Sequence, residues 1–462
     1  MIDSPIQASF RRDLKLYPGP KEINGAPTYN LYDPISAKYY KLGWEESVIY
    51  KLAKKGMSFA DIAKEVNRNA PFTVEEDDVQ SFYQQSAYLG LLDLPKSSET
   101  VMEDFQRKKS SPIWWLLMNY LYFRLPLFKP DAFLQRTLPS VKILWSSFAI
   151  FIYVLTTLIG LGAIITHFDE YIHTFTYFFN FEGFIMYAIT IFVLKIVHEL
   201  SHAYTAKNYH IQVPSIGVAV IVLWPVLYTD VTDSWKLASR KQRLVISIAG
   251  VTSELVIAGL STFGWLITTP GILQSIFFLL SSTTWISSAF INFNPAMRFD
   301  GYYILCDLWG IDNLRARAFS VTRWKLHEWM FGFGLPCPEE GISKQRIYGM
   351  MTYSIFTWIY LIILYTAIAV FVYYEFTKAL GIILFLLEIG IFFMWPIVSE
   401  FQELYKRRSY FRFNMRTIIT LIFTSCIILW LVLPLPRSET IPAITIPHKE
   451  QVLYAVEEGK ID

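Results

Sequence analysis

The stretch from Leu194 to Lys207 ends an apolar run with His198, Glu199 and His202 in the order His-Glu-x-x-His. Histidines four apart share one face of a helix, so both imidazoles can reach a single metal ion. The glutamate beside the first can reach a water bound to that ion and take its proton. The chemistry expected is metal-assisted hydrolysis, with Zn²⁺ as cofactor, His198 and His202 as ligands and Glu199 as general base. With seven histidines in 462 residues, chance would produce this pattern on the order of 0.01 times or fewer per chain. A pair of hydrogen-bonded core histidines is the other explanation, and inside a membrane helix even that is costly.

A catalytic zinc site needs a third protein ligand and one open position. No glutamate lies between Glu199 and Glu254, so the candidates are Asp230, Asp233, Glu254 and Asp300. Asp300 ends a later apolar run, at the depth expected for His198, and depth matching favours it. Glu254 falls well inside a span, where it would hydrogen-bond between helices or face water. Asp230 and Asp233 read as loop caps. Lys195, one turn before His198, reads as snorkelling to the interface rather than tuning Glu199. His327 has no partner histidine four residues on, and His210 and His448 read as surface residues. Cys306, Cys337 and Cys426 form no CxxC pair and no disulfide framework.

These residues must be held by elements in a bilayer. Hydrophobic residues make up 53% of the chain and charged ones 17%, below the usual quarter for soluble domains, and the mean hydropathy is +0.34. The apolar residues come in long blocks, and about seven transmembrane helices are expected, near 143–166, 182–205, 244–268, 271–293, 350–374, 379–398 and 416–434. Lys and Arg cluster before the first (Lys108, Lys109, Arg124, Lys129, Arg136, Lys142), before the third (Arg240, Lys241, Arg243), after the fourth (Arg315, Arg317, Arg323, Lys325) and after the sixth (Lys406, Arg407, Arg408, Arg412). The positive-inside rule then puts the N-terminus in the cytoplasm, the C-terminus outside, and the histidines at the cytosolic end of the second span. Residues 213–233 join two cytosolic points and contain Pro214 and Pro225. They are expected to form a re-entrant β-hairpin with Ile216, Val218, Val220 and Val222 on one face.

The N-terminus has no apolar signal region. Residues 1–105 read as a cytosolic domain: a hairpin at "YNLYDPISAKYYKLG", a short helix from Glu45 to Ala53, and helices opened by capping boxes at Ser58/Asp61 and Thr73/Glu76. This order is winged-helix-like and resembles small peptide-recognition domains of enzymes that process ribosomal peptides. Residues 106–141 are expected to hold an interfacial amphipathic helix, Ser111 to Phe128. Residues 142–434 form the membrane domain and 435–462 an extracytoplasmic tail. The fold class is therefore mainly α: a polytopic membrane protein with a re-entrant β-hairpin and an N-terminal winged-helix-like domain.

His-Glu-x-x-His in one span, followed by Asn292-x-x-Pro295-x-x-x-x-Asp300-Gly301 at the end of a later one, resembles the signature of site-2-type intramembrane zinc metalloproteases. The resemblance covers roughly residues 180–310. It implies Asp300 as the third zinc ligand and Asn292 as a contact for substrate or oxyanion. The stretches "NPAMRFDGYYILCDLWGIDNLR" and "LYTDVTDSWK" look like bacterial peptide zinc metalloproteases encoded with peptide export systems, and the tail looks like the opening strands of a periplasmic adaptor. These resemblances imply the bacterial inner membrane, a membrane-associated or exported peptide substrate, and exporter or adaptor partners. A non-catalytic subunit of an exporter is the alternative. Nothing suggests nucleic acid, and Glu254 and Glu388 are too few ionisable groups for a transport pathway.

Overall fold

The computed structural model describes residues 9–22, 25–53, 57–93, 122–176, 180–221, 224–339, 342–375, 378–411 and 414–432. The chain forms two compact units, one holding residues up to Thr322 with Glu339–Phe392, the other Arg323–Pro338 with the residues from Phe393 on.

The larger unit opens with a three-stranded antiparallel sheet, β1 (Lys15–Pro18), β2 (Tyr29–Asp33) and β3 (Lys38–Leu42), in the order β1-β2-β3. The expected hairpin is β2–β3, with Asp33 opposite Lys38. Helices α1 (Trp44–Ala53), α2 (Phe59–Asn69) and α3 (Glu76–Tyr88) follow. Leu31, Ile49, Ile62, Val66 and Val79 close a core between sheet and helices. Ser58 caps α2 as expected, its Oγ accepting from Asp61 N at 3.2 Å. The cap of α3 lies two residues later than the sequence suggested: Glu75 N donates to Asp78 Oδ2 at 2.9 Å. The acidic run offers several carboxylates, and the one three residues after the cap, within the first turn of the helix, takes the bond.

Residues 122–128, expected at the end of an interfacial helix, instead form strand β4 (Tyr122–Phe128). It pairs antiparallel with β5 (Ile216–Ile221), which pairs with β6 (Trp224–Thr229). Pro126 cannot continue a helix but is tolerated on an outer strand, and the register shifts between Pro126 and Phe128. The strand also satisfies backbone groups of the hairpin that would otherwise lie unpaired. Residues 111–121, Val222 and the tail beyond residue 432 lie outside the described residues.

Then come α4 (Asp131–Val141), α5 (Ser147–Thr166), α6 (Phe168–Thr176) and α7 (Phe181–Asn208). After the sheet, α8 (Arg240–Ile267) and α9 (Ile272–Ile286) follow, α9 running into a π-helical turn, Ser287–Asn292. Next are α10 (Asp300–Trp309), α11 (Leu314–Met330), α12 (Lys344–Glu375) and α13 (Lys378–Glu388). Among the described residues five helices are long and apolar enough to cross a membrane: α5, α7, α8, α9 with its π turn, and α12. The segments expected as the sixth and seventh spans are also helical over the described residues. The sixth is divided into α13, a π turn at Ile389–Met394 and α14 (Trp395–Lys406), whose first turn contains Pro396. The seventh is α15 (Met415–Val432). Apolar composition alone does not distinguish a continuous helix from one interrupted by a π turn.

Helix α8 packs against α5, α7, α9 and α10, and 44% of its apolar window is buried, close to the 47% of α9 with its π turn and well above the 17% of α5 and α7. Helices α8 and α9 therefore carry interior polar groups, Glu254 and Thr262 on α8 and Ser281, Ser288 and Asn292 on α9 and its π turn, while the outer faces of α5 and α7 present Ile, Leu and Phe to lipid. The N-terminal sheet meets the turn that follows β6. Tyr39 donates to Asp233 Oδ1 at 2.6 Å and Asn30 Nδ2 to the Trp235 carbonyl at 2.6 Å, while Lys41 Nζ donates at 2.9 Å to Oδ2 of Asp312, in the turn after Trp309. Burial, with Asp233 beside it, pushes the Tyr39 phenol well above its ordinary value, so it remains a donor.

Candidate metal centre

Helix α7 begins at the Asn180 cap, whose Oδ1 accepts from Gly183 N at 2.7 Å, and runs without a break to Asn208. His198 and His202 therefore lie one above the other. Both are buried, and both face α8, which runs antiparallel beside α7. Asp300 occupies the first turn of α10, where a carboxylate is favoured by the helix dipole. The connection before it is pinned: Asn294 Oδ1 accepts from Ala296 N at 2.9 Å, and the Tyr353 hydroxyl donates to the Pro295 carbonyl at 3.0 Å.

These elements bring three donor atoms together. His198 Nε2 is 2.9 Å from Asp300 Oδ2, His202 Nε2 is 3.3 Å from the same oxygen, and the two Nε2 atoms are 3.2 Å apart. An ion about 2.0–2.1 Å from tetrahedral donors holds them about 3.3–3.4 Å apart, so the cluster is within a few tenths of an ångström of that spacing. The tautomers agree. His202 Nδ1 lies 2.7 Å from the Ile246 carbonyl, which can only accept, so this nitrogen carries the proton and a neutral ring turns its Nε2 lone pair to the centre. Asp300 Oδ2 is buried with no hydrogen-bond partner. Lone pairs and an anion converging on one point fit a cation between them. Asp300 keeps 21% of its side chain exposed, so one side of the centre remains accessible.

Glu199 is half-buried, one residue past His198, about 100° around the helix from it and about 60° from His202. Its backbone carbonyl accepts from Thr229 Oγ1 at 3.0 Å, so the end of β6 is tied to the turn of α7 that carries it. Asp230 and Asp233 are not ligands. Asp230 Oδ1 caps Thr232 N at 3.0 Å, and Asp233 takes Tyr39 and Lys236.

Two contributors were not legible in the sequence. The first is Gly250 on α8: a Cβ there would lie 2.5 Å from both His198 Nε2 and His202 Nε2. Its only sequence signal was a glycine one turn before the buried Glu254. The second is Lys195, whose ammonium does not snorkel to the interface. It donates to Glu254 Oε1 at 2.9 Å and Asn292 Oδ1 at 3.0 Å, because a buried carboxylate one helix away is a stronger attraction than the distant surface. Glu254 itself bonds between helices, the first of its two expected uses. Asn292 is buried, with its amide nitrogen on Glu254 Oε2.

A family model described as peptidase family M50 matches residues 186–293. The matched region contains His198, Glu199, His202, Gly250, Glu254 and Asn292, and ends before Asp300. No curated protein and no solved structure matches the chain.

Proposed function

We propose that this chain, a membrane-embedded zinc-dependent endopeptidase by virtue of its peptidase family M50 domain and its three-ligand cluster, cleaves a membrane-associated or exported peptide near the cytosolic face of a bacterial inner membrane. The observation that carries the reading is the convergence of His198 Nε2, His202 Nε2 and Asp300 Oδ2 beside Glu199. A zinc ion held by these three supplies Lewis acidity for water activation and for polarising the scissile carbonyl. Glu199 accepts a proton from the attacking water and returns it to the leaving amine. The N-terminus-inside orientation is supported by Arg240, Lys241 and Arg243 at the end of α8 near the cluster, and by Arg315 and Arg317 beyond Asp300.

A helical substrate hides its carbonyls in hydrogen bonds, so the segment to be cut must be extended. Among the described residues β6 pairs only with β5, and its end is tied to the Glu199 turn; it is the edge on which we place the extended segment, by strand addition. The N-terminal domain offers a second edge. β3 is the outer strand of its sheet, and a cavity of about 380 Å³ beside it is lined by Tyr39, Tyr40, Lys41, Glu46, Phe82 and Gln85. We assign it to capture of a leader segment before cleavage.

The test is bound zinc in the purified protein, followed by terminal-residue mapping of membranes containing wild type or Glu199→Gln. The expected result is one zinc per wild-type chain, none with Asp300→Ala, and new peptide termini only with wild type. Wild type without zinc, or the same termini with Glu199→Gln, would overturn the proposal.

A further inference from the structure

Among the described residues Glu254 is the most enclosed ionisable side chain of the bundle, 1% exposed in the middle of α8. An isolated carboxylate there would be expensive. Its partners come from two neighbouring helices. Oε1 takes Lys195 Nζ of α7 at 2.9 Å and lies 2.8 Å from His198 Nδ1. Oε2 takes Ser288 Oγ at 2.5 Å and Asn292 Nδ2, both from the π turn after α9. Asn292 in turn accepts from Lys195 at 3.0 Å, closing a ring of Glu254, Lys195 and Asn292.

The two histidines are thus backed differently. His202 Nδ1 meets a neutral backbone carbonyl, whereas His198 Nδ1 meets a carboxylate. The His198 contact is short but not aligned as a hydrogen bond, and Nδ1 is otherwise buried without a partner. An imidazole that offers Nε2 to a cation carries its proton on Nδ1, and a fixed carboxylate at that nitrogen favours this tautomer, fixes the ring plane and raises the basicity of Nε2. Lys195 supplies the opposite charge at 2.9 Å, so the buried carboxylate of Glu254 is paired rather than isolated.

We propose that Glu254, held by Lys195, Ser288 and Asn292, is the positioning residue for the metal ligand His198, and that Asn292 acts through this ring rather than by touching substrate. The proposal rests on the zinc-peptidase reading above. The alternative is that the ring only fastens α7, α8 and α9 together.

The experiment measures the zinc dissociation constant of the full-length protein in detergent micelles by competition with a chromophoric chelator. It compares wild type, Glu254→Gln, the charge-balanced pair Glu254→Gln with Lys195→Met, and Asp300→Ala. The Co²⁺-substituted visible spectrum and the thermal midpoint of each metal-free protein are recorded alongside. The expected result is about 10- to 100-fold weaker zinc binding in both Glu254 variants, with a changed Co²⁺ spectrum. If helix fastening were the whole role, both Glu254 variants would lose thermal midpoint while keeping the wild-type zinc affinity and Co²⁺ spectrum, and that outcome overturns the proposal. Wild-type affinity in Glu254→Gln overturns it as well. Zinc that binds no more tightly to wild type than to Asp300→Ala would instead overturn the zinc-peptidase reading, and this inference with it.

Discussion

Gly250→Ala is the sharpest probe of how the centre is packed. Inside a helix this change normally stabilises by about 1 kcal/mol, because alanine is the better helix former. Here the added methyl would sit 2.5 Å from His198 Nε2 and His202 Nε2, and 2.6 Å from His198 Cε1. Ordinary carbon contact begins near 3.5 Å, so α7 and α8 must separate, or both rings must tilt, by about 1 Å. Zinc–ligand distances tolerate only about 0.2 Å. The donor atoms already lie 2.9–3.3 Å apart, and moving two of the three by that amount leaves no common point for the ion. We expect zinc affinity to fall by about 100-fold or more, the upper end of what loss of a ligand's supporting partner costs, or about 2.7 kcal/mol. The metal-free protein should lose about 1–3 kcal/mol from overpacking. The assay is zinc retention during dialysis against graded chelator, with thermal unfolding of the metal-free form. The control is Gly162→Ala in α5, where a Cβ meets nothing within 4 Å and zinc binding should be unchanged. One zinc at wild-type affinity in Gly250→Ala would refute the packing argument and the placement of α8 behind the histidines.

Glu199→Gln should keep its zinc and lose about 10²- to 10⁴-fold in peptide turnover, read by parallel metal analysis and cleavage rates. Gly301→Ala should fail more severely than a surface substitution. Its Cβ would meet Phe293 C and O at 2.4 Å, backbone atoms that cannot swing away, so Asp300 should be displaced and zinc content fall with the thermal midpoint. Asp131 predicts an acid dependence. Burial opposes its ionisation, but Lys207 Nζ at 2.8 Å and Val213 N at 3.1 Å hold its carboxyl below the ordinary value. Its contribution to stability is therefore complete above the unfolded value near pH 4 and is lost as pH falls through the lower folded value. In metal-free protein, the gap in thermal midpoint between wild type and Asp131→Asn should be full at pH 7 and close toward pH 3; a gap independent of pH would contradict this.

That His198, His202 and Asp300 come together was readable because each signal is local or set by depth. His198 and His202 lie one helical turn apart, so their shared face follows from helix geometry alone. Asp300 was reached from its depth at the end of an apolar run, and it lies 2.9 Å from His198 although 102 residues separate them in the chain. The N-terminal hairpin and the Ser58 cap were readable for the same reason: turn and cap chemistry spans only a few residues.

Other features depended on which segments became neighbours. Residues 122–128 are as apolar as an interfacial helix, and only the unpaired edge of β5 made them a strand. Lys195 was read against the membrane surface because one sequence window contains no buried carboxylate; its partner is 59 residues away on α8. Gly250 looked like any small residue in a span until two imidazoles were found against it. Sequence by itself determined which residues could hold a metal ion and in what kind of helix. The tertiary structure decided what stands behind each ligand, because a buried charge or a missing side chain acquires its meaning only from the atoms that another helix places within about 3 Å.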